Sequence, residues 1–120
     1  MDNIHIQGIE AEVHIGVSPQ ERAFPQPLKL SLTLGTSFTA AVLWDDLTKT
    51  IDYAEISKFV IHFIETSHFN LLETLAEKLS ESLFLTFSIE TLKLVIDKPK
   101  ALAPKMGVPG IEIYRERGGQ

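Results

Sequence analysis

Apolar residues recur along this chain with two different periods, and the switches between them sketch a fold. Ile4, Ile6, Ile9, Ala11, Val13 and Ile15 alternate with polar residues, the pattern of a strand with one buried face. Gly8 interrupts that alternation and predicts a bulge that restores the register. A loop is expected from Gly16 to about Pro27. Beyond it Leu28, Leu30, Leu32 and Leu34 alternate with Lys29, Ser31 and Thr33 in a second strand. An irregular crossing marked by Asp45, Asp46 and Lys49 follows, and then the period becomes helical. Asp52 with Glu55 three positions later reads as a capping box, and Ile56, Phe59, Val60, Phe63 and Ile64 form one apolar face behind it. Asn70 with Glu73 repeats the start signal ahead of Leu72, Leu75, Ala76, Leu79 and Leu83. Leu92, Leu94 and Ile96 return to period two in a third strand that Pro99 halts. A loop from Lys100 to Pro109 leads into a fourth strand, Gly110 to Arg115.

The order β-β-α-α-β-β predicts an α+β fold: a four-stranded antiparallel sheet with two helices on one face. Lys29, Ser31, Thr33, Thr91 and Lys93 keep the other face polar. Two strand edges stay open, and long open edges recruit partners, so a homo-oligomer whose sheets close into a barrel is expected. Residues 1–117 are expected to form a single domain, with residues 118–120 as a flexible tail.

Composition narrows the chemistry. At 120 residues there is room for one core. A net charge of -5 with no basic stripe argues against nucleic acid as a partner. Cysteine is absent, which removes disulfides, thiolate catalysis and cysteine-bound zinc. No apolar run approaches the roughly 18 residues of a membrane span. The N-terminal alternation differs from the continuous apolar stretch of a signal peptide, so a cytoplasmic protein without membrane partners is expected. His5, His14, His62 and His68 show neither a His-x-His nor an i, i+4 pair, and no metal site is expected. A serine elbow, a glycine-rich phosphate loop and a paired-acid calcium loop are all missing.

Four side chains at element edges have both a structural and a chemical reading. Glu73 can bond back to the Asn70 amide as a cap; alternatively its carboxylate matches the paired N–H donors of a guanidine-like ring edge, beside the Leu71 and Leu72 backbone. Tyr53, at the first position of a helix, is either a surface aromatic or a flat stacking face with a proton-relaying hydroxyl. Lys98 either guards a strand edge or, partly buried at an oligomer interface, supplies the neutral amine that acid–base chemistry needs. Glu21 is an exposed ion-pair former beside Arg22 or, near Lys98, a group that orients a substrate hydroxyl.

Taken in order, these stretches resemble the dihydroneopterin aldolase family of folate biosynthesis. Gly16-Val17 with Glu21-Arg22, Asp45 through Leu47 and Thr50 to Asp52-Tyr53, Leu71 to Glu77, Lys98-Pro99, and Gly110 to Arg115 follow the family pattern over about residues 2–115. Two departures stand at one loop: Pro109 precedes the last strand's glycine, and Lys100 to Met106 lacks an acidic residue. The resemblance implies the tunnelling fold, in which subunits close a tetrameric ring and two rings stack into an octamer with active sites between neighbours. It implies that Glu73 and the Leu72 backbone hold a pterin, with Tyr53 of the adjacent subunit stacking on it. Lys98 and Tyr53 then serve catalysis, and Glu21 lies beside the substrate's side chain. It further implies a retro-aldol cleavage needing no cofactor, no Schiff base and no metal, with side-chain epimerisation as a possible companion activity. The alternatives are a dihydroneopterin triphosphate epimerase and a non-catalytic pterin- or purine-binding ring protein.

Overall fold

The computed structural model describes residues 1–118. Its elements run β1 (Asp2–Ile15), α1 (Pro19–Ala23), β2 (Gln26–Thr36), α2 (Thr39–Trp44), α3 (Tyr53–Glu65), β3 (His68–Phe69), α4 (Leu72–Thr86), β4 (Thr91–Asp97) and β5 (Gly110–Glu116). The four expected strands form an antiparallel array in the order β1-β2-β4-β5. The bulge falls where the pattern breaks: Ile6 pairs with Leu32, Ile9 pairs with Leu30, and Gly8 adopts φ 77. That extra residue keeps Ile4, Ile6, Ile9, Ala11, Val13 and Ile15 on one face.

Three expectations need correction. The sheet has five strands and is mixed, because β3 adds parallel to the far end of β1 through His14–His68 and Ile15–Phe69. Two residues are too few to show any periodicity. The loop from Gly16 to Pro27 contains α1, with Pro19 in its first turn, and ends early at Gln26. Ser18 caps this helix by accepting from the Glu21 N–H at 3.1 Å. The irregular crossing contains α2 and a 3-10 turn over Leu47–Lys49, started by Asp46 accepting from Thr48. The last two residues of the expected tail, Gly119 and Gln120, lie outside the described residues.

The core lies between the sheet and the two long helices. Ile56, Val60 and Ile64 of α3 and Leu75, Ala76, Leu79 and Leu83 of α4 pack with Leu28, Leu30, Leu32, Leu34, Leu92, Leu94 and Ile96, all of them buried. Truncating one such leucine to alanine costs about 2–5 kcal/mol. Arg117 closes the far end of α4, where its guanidinium donates to the carbonyls of Phe84, Phe87 and Ile89, each at 2.8 Å. The Phe84 carbonyl is one that the last turn of the helix leaves unpaired, and the Phe87 and Ile89 carbonyls belong to the chain just after it. The opposite face of the sheet, including Glu10, Lys29, Lys93 and Glu112, is exposed. α2 buries none of its residues, and leaves Val42, Leu43 and Trp44 facing solvent.

Candidate functional site

The site grows from three chain segments that meet where β1, β4 and α4 come together. β4 ends at Asp97, and the next residue, Lys98, has its backbone fixed from both sides. Its N–H donates to the Pro109 carbonyl at 2.9 Å, and its carbonyl accepts from Ala101 N–H at 3.2 Å. The side chain turns inward and keeps only 14% exposure. Pro109 therefore helps anchor the lysine, and the departure noted at this position falls at the rim of the site.

Glu21 arrives on α1. Gly16 makes its approach possible: a Cβ at residue 16 would stand 2.9 Å from Glu21 Oε2, and the backbone there has φ 150. Arg22 does not pair with Glu21; its Nη1 donates to the carbonyls of Gly16 and Val17, both at 3.0 Å, and ties the loop to itself. Glu21 Oε2 thus comes 3.8 Å from Lys98 Nζ. With Glu21 about half exposed, this contact contributes about 0–1 kcal/mol to stability. Its consequence is positional, since it fixes an amine and a carboxylate at one wall.

Glu73 sits in the first turn of α4, but the expected capping box does not form. The N-cap position belongs to Leu71, in extended conformation (φ -123, ψ 145), and no side chain caps the helix. Glu73 makes no ion pair among the described residues, and its carboxylate is exposed. First-turn N–H groups without a cap favour acceptor atoms and negative charge nearby.

Ile15, Gly16, Val17, Glu21, Asn70, Leu71, Leu72, Glu73, Lys98, Ala101 and Pro109 line one cavity of about 230 Å³. Four of the five candidate site residues, Glu21, Leu72, Glu73 and Lys98, therefore share a single space. Tyr53 does not join them within the chain. It is 64% exposed and lies on a different surface, a shallow apolar one with Phe38, Val42, Leu47 and Ile51. Asn70, which read only as a cap, is a lining residue that the sequence pattern missed, whereas Pro109, a departure expected to reshape the mouth of the site, does line it. No three histidine or carboxylate side chains among the described residues converge as a metal site would require. No helix among them is long and apolar enough to cross a membrane.

A carboxylate at an open helix start and a lysine–glutamate pair thus share one cavity at the rim of a half-covered sheet. Comparisons with known proteins place such a chain in a family. The dihydroneopterin aldolase family model matches residues 4–114. A dihydroneopterin aldolase of Streptomyces coelicolor is 33% identical over 101 residues, covering 84% of this chain and 85% of that one. Among solved structures, the Escherichia coli dihydroneopterin aldolase in complex with neopterin superimposes with a TM-score of 0.89 at 28% identity, over 96% of this chain and 99% of that one. A Vibrio cholerae structure named for the same family reaches a TM-score of 0.91 at 33% identity, over 98% of both chains. The chain belongs to the dihydroneopterin aldolase family, lyases of folate biosynthesis.

Proposed function

We propose that the protein cleaves 7,8-dihydroneopterin by a retro-aldol reaction to 6-hydroxymethyl-7,8-dihydropterin and glycolaldehyde. The observation that carries this reading is the shared cavity, in which the Lys98–Glu21 pair and the uncapped start of α4 with Glu73 face the same space. A pterin's amide edge offers two N–H donors and one carbonyl acceptor. Glu73 answers the donors, and the Leu72 N–H answers the acceptor. The ring is then held with its side chain toward Lys98 and Glu21.

Cleavage needs a base for the side-chain hydroxyl and an acid for the enamine left behind. As the hydroxyl proton leaves, the carbon–carbon bond breaks and its electron pair moves into the ring's C=N. Protonation of the remaining carbon gives the hydroxymethyl product. Lys98, working through ordered water, takes the first proton and returns one to carbon, and Glu21 holds the side-chain hydroxyls. The electron sink is the substrate's own C=N, so the lysine serves as acid and base rather than as a Schiff-base former.

Tyr53 enters from a second copy of the chain, stacking on the ring and assisting proton transfer. Two features support an assembly of this kind. Among the described residues, β1 is paired on its outer side only at His14 and Ile15, and β5 is an edge strand, so both flanks of the sheet offer unpaired backbone to neighbours. Val42, Leu47 and Tyr53 share an exposed, largely apolar surface of the kind subunits cover, and Leu43 and Trp44 of α2 are exposed as well. A tetrameric ring, doubled into an octamer, places the polar sheet face along its inner wall.

The test is direct. Purified protein incubated with 7,8-dihydroneopterin releases glycolaldehyde stoichiometric with the hydroxymethyl pterin; absence of both products would rule the reading out. Supplying the triphosphate ester alongside distinguishes an epimerase, which would return an inverted side chain and no aldehyde.

A further inference from the structure

His14 is outside every group assigned to the reaction, yet it touches both arms of the site. Its Nδ1 stands 2.9 Å from the Arg22 carbonyl oxygen. A carbonyl can only accept, so Nδ1 carries the proton and donates it. Arg22 directly follows Glu21 in α1. The ring of His14 also stacks on His68, with centroids 5.4 Å apart and planes 19° from parallel, and the two residues are partners in the β1–β3 pairing. From β3 the chain passes through Asn70 and Leu71 straight into α4 and Glu73. One half-buried imidazole thus holds the Glu21 segment by its edge and the approach to Glu73 by its face.

Each arm also has an anchor of its own: Glu21 meets Lys98 at 3.8 Å, and Phe69 beside His68 packs against the core. α1 contains no buried residue, and β3 is two residues long. The other polar ties of the first arm, from Glu21 to Ser18, from Arg22 to Gly16 and Val17 and from Gln26 to Ile15, stay within the β1–β2 connection, and the Glu21–Lys98 contact runs to the end of β4, so none of them reaches β3. We infer that His14 is a positioning residue that sets the placement of Glu21 and of Glu73 relative to each other, holding a ligand's side chain and ring in common alignment. The assignment rests on the pterin-cleaving reading above.

The two attachments can be separated by substitution. H14F keeps an aromatic face for His68 and removes the donor. H14N sets an amide nitrogen where Nδ1 stood and removes the ring. H68A removes the stack from the other side. Each variant is measured for steady-state cleavage of 7,8-dihydroneopterin, for neopterin affinity and for backbone hydrogen exchange.

H14F is expected to lower kcat about 10- to 100-fold, the scale of a catalytic group displaced by about 1 Å, with KM and neopterin affinity little changed. Its exchange quickens in residues 17–24. H14N recovers kcat toward wild type but raises KM and the neopterin Kd, with faster exchange in residues 68–73, and H68A matches it. A merely structural role would move kcat, KM and thermal stability together in all three. Parallel changes of kcat and KM in H14F and H14N, or unaltered exchange in both segments, overturn the assignment. A wild-type protein that fails to cleave dihydroneopterin overturns the functional reading instead, and the exchange pattern then decides by itself whether His14 ties the two segments.

Discussion

Two helices of this chain begin with the same signature, an Asx residue followed three positions later by glutamate, and the two starts are built differently. At α3, Asp52 occupies the N-cap and accepts from the N–H groups of Ala54 and Glu55 at 3.0 and 3.4 Å. Glu55 turns outward to Lys58, 3.6 Å away, so only half of the capping box exists, but the helix start is chemically closed. At α4, the helix begins one residue later relative to the signature. Leu71 takes the cap position with no side-chain acceptor, and Glu73 is left unpaired beside open N–H donors. One residue of phase separates a helix start closed by its own side chain from one left open. The phase of α4 is set by Leu75, Ala76, Leu79 and Leu83, which must face the core, and by β3, which holds His68 and Phe69 extended beside β1.

The largest effect is expected at the lysine that shares a cavity with the open start. Lys98→Ala is expected to lower kcat by about 10²–10⁴-fold, the usual range for a lost acid–base group, while neopterin still binds. Glycolaldehyde release and a binding titration measure the two separately. Glu73→Gln keeps the shape but loses the charge. It should weaken neopterin by about 1.5–3 kcal/mol, roughly one to two orders of magnitude in Kd, by calorimetric titration.

Closed and open starts should respond oppositely to stability measurements. Asp52→Ala removes a working cap and should cost about 1 kcal/mol in urea unfolding, whereas Glu73→Gln should stay within about 0.5 kcal/mol of wild type. The converse change adds stability instead. Leu71→Asp installs an acceptor at the α4 cap and should stabilise the protein by a few tenths to about 1 kcal/mol, while weakening neopterin by competing for the same N–H groups. A Leu71→Asp variant that binds neopterin as well as wild type would mean that those donors do not face the ligand.

Much of this architecture was legible because its long elements repeat a pattern. The leucines of β2 and β4, the bulge at Gly8 and the faces of α3 and α4 follow from periodicity alone. The short pieces were not legible. α1, α2 and β3 are two to six residues long, and β3 exists only because the fold brings His68 beside His14, a contact 54 positions apart in the chain. At the site, Glu73 and Lys98 stood out by their places at element edges. Their shared cavity depends on the turn from Lys98 to Ala101 and on the Pro109 carbonyl, which no local pattern announces. Asn70 misled in the other direction, since capping propensity carries no information about where the core sets a helix's phase.

Mixing two inactive proteins asks most directly whether an aromatic from one subunit completes the cavity of another. Lys98→Ala subunits retain Tyr53, and Tyr53→Ala subunits retain Lys98. Unfolded together and refolded as mixed oligomers, they are expected to regain a fraction of wild-type glycolaldehyde release set by random assortment, because some interfaces then join an intact Lys98 to an intact Tyr53. Mixed oligomers that form but stay as inactive as either parent would contradict the shared site.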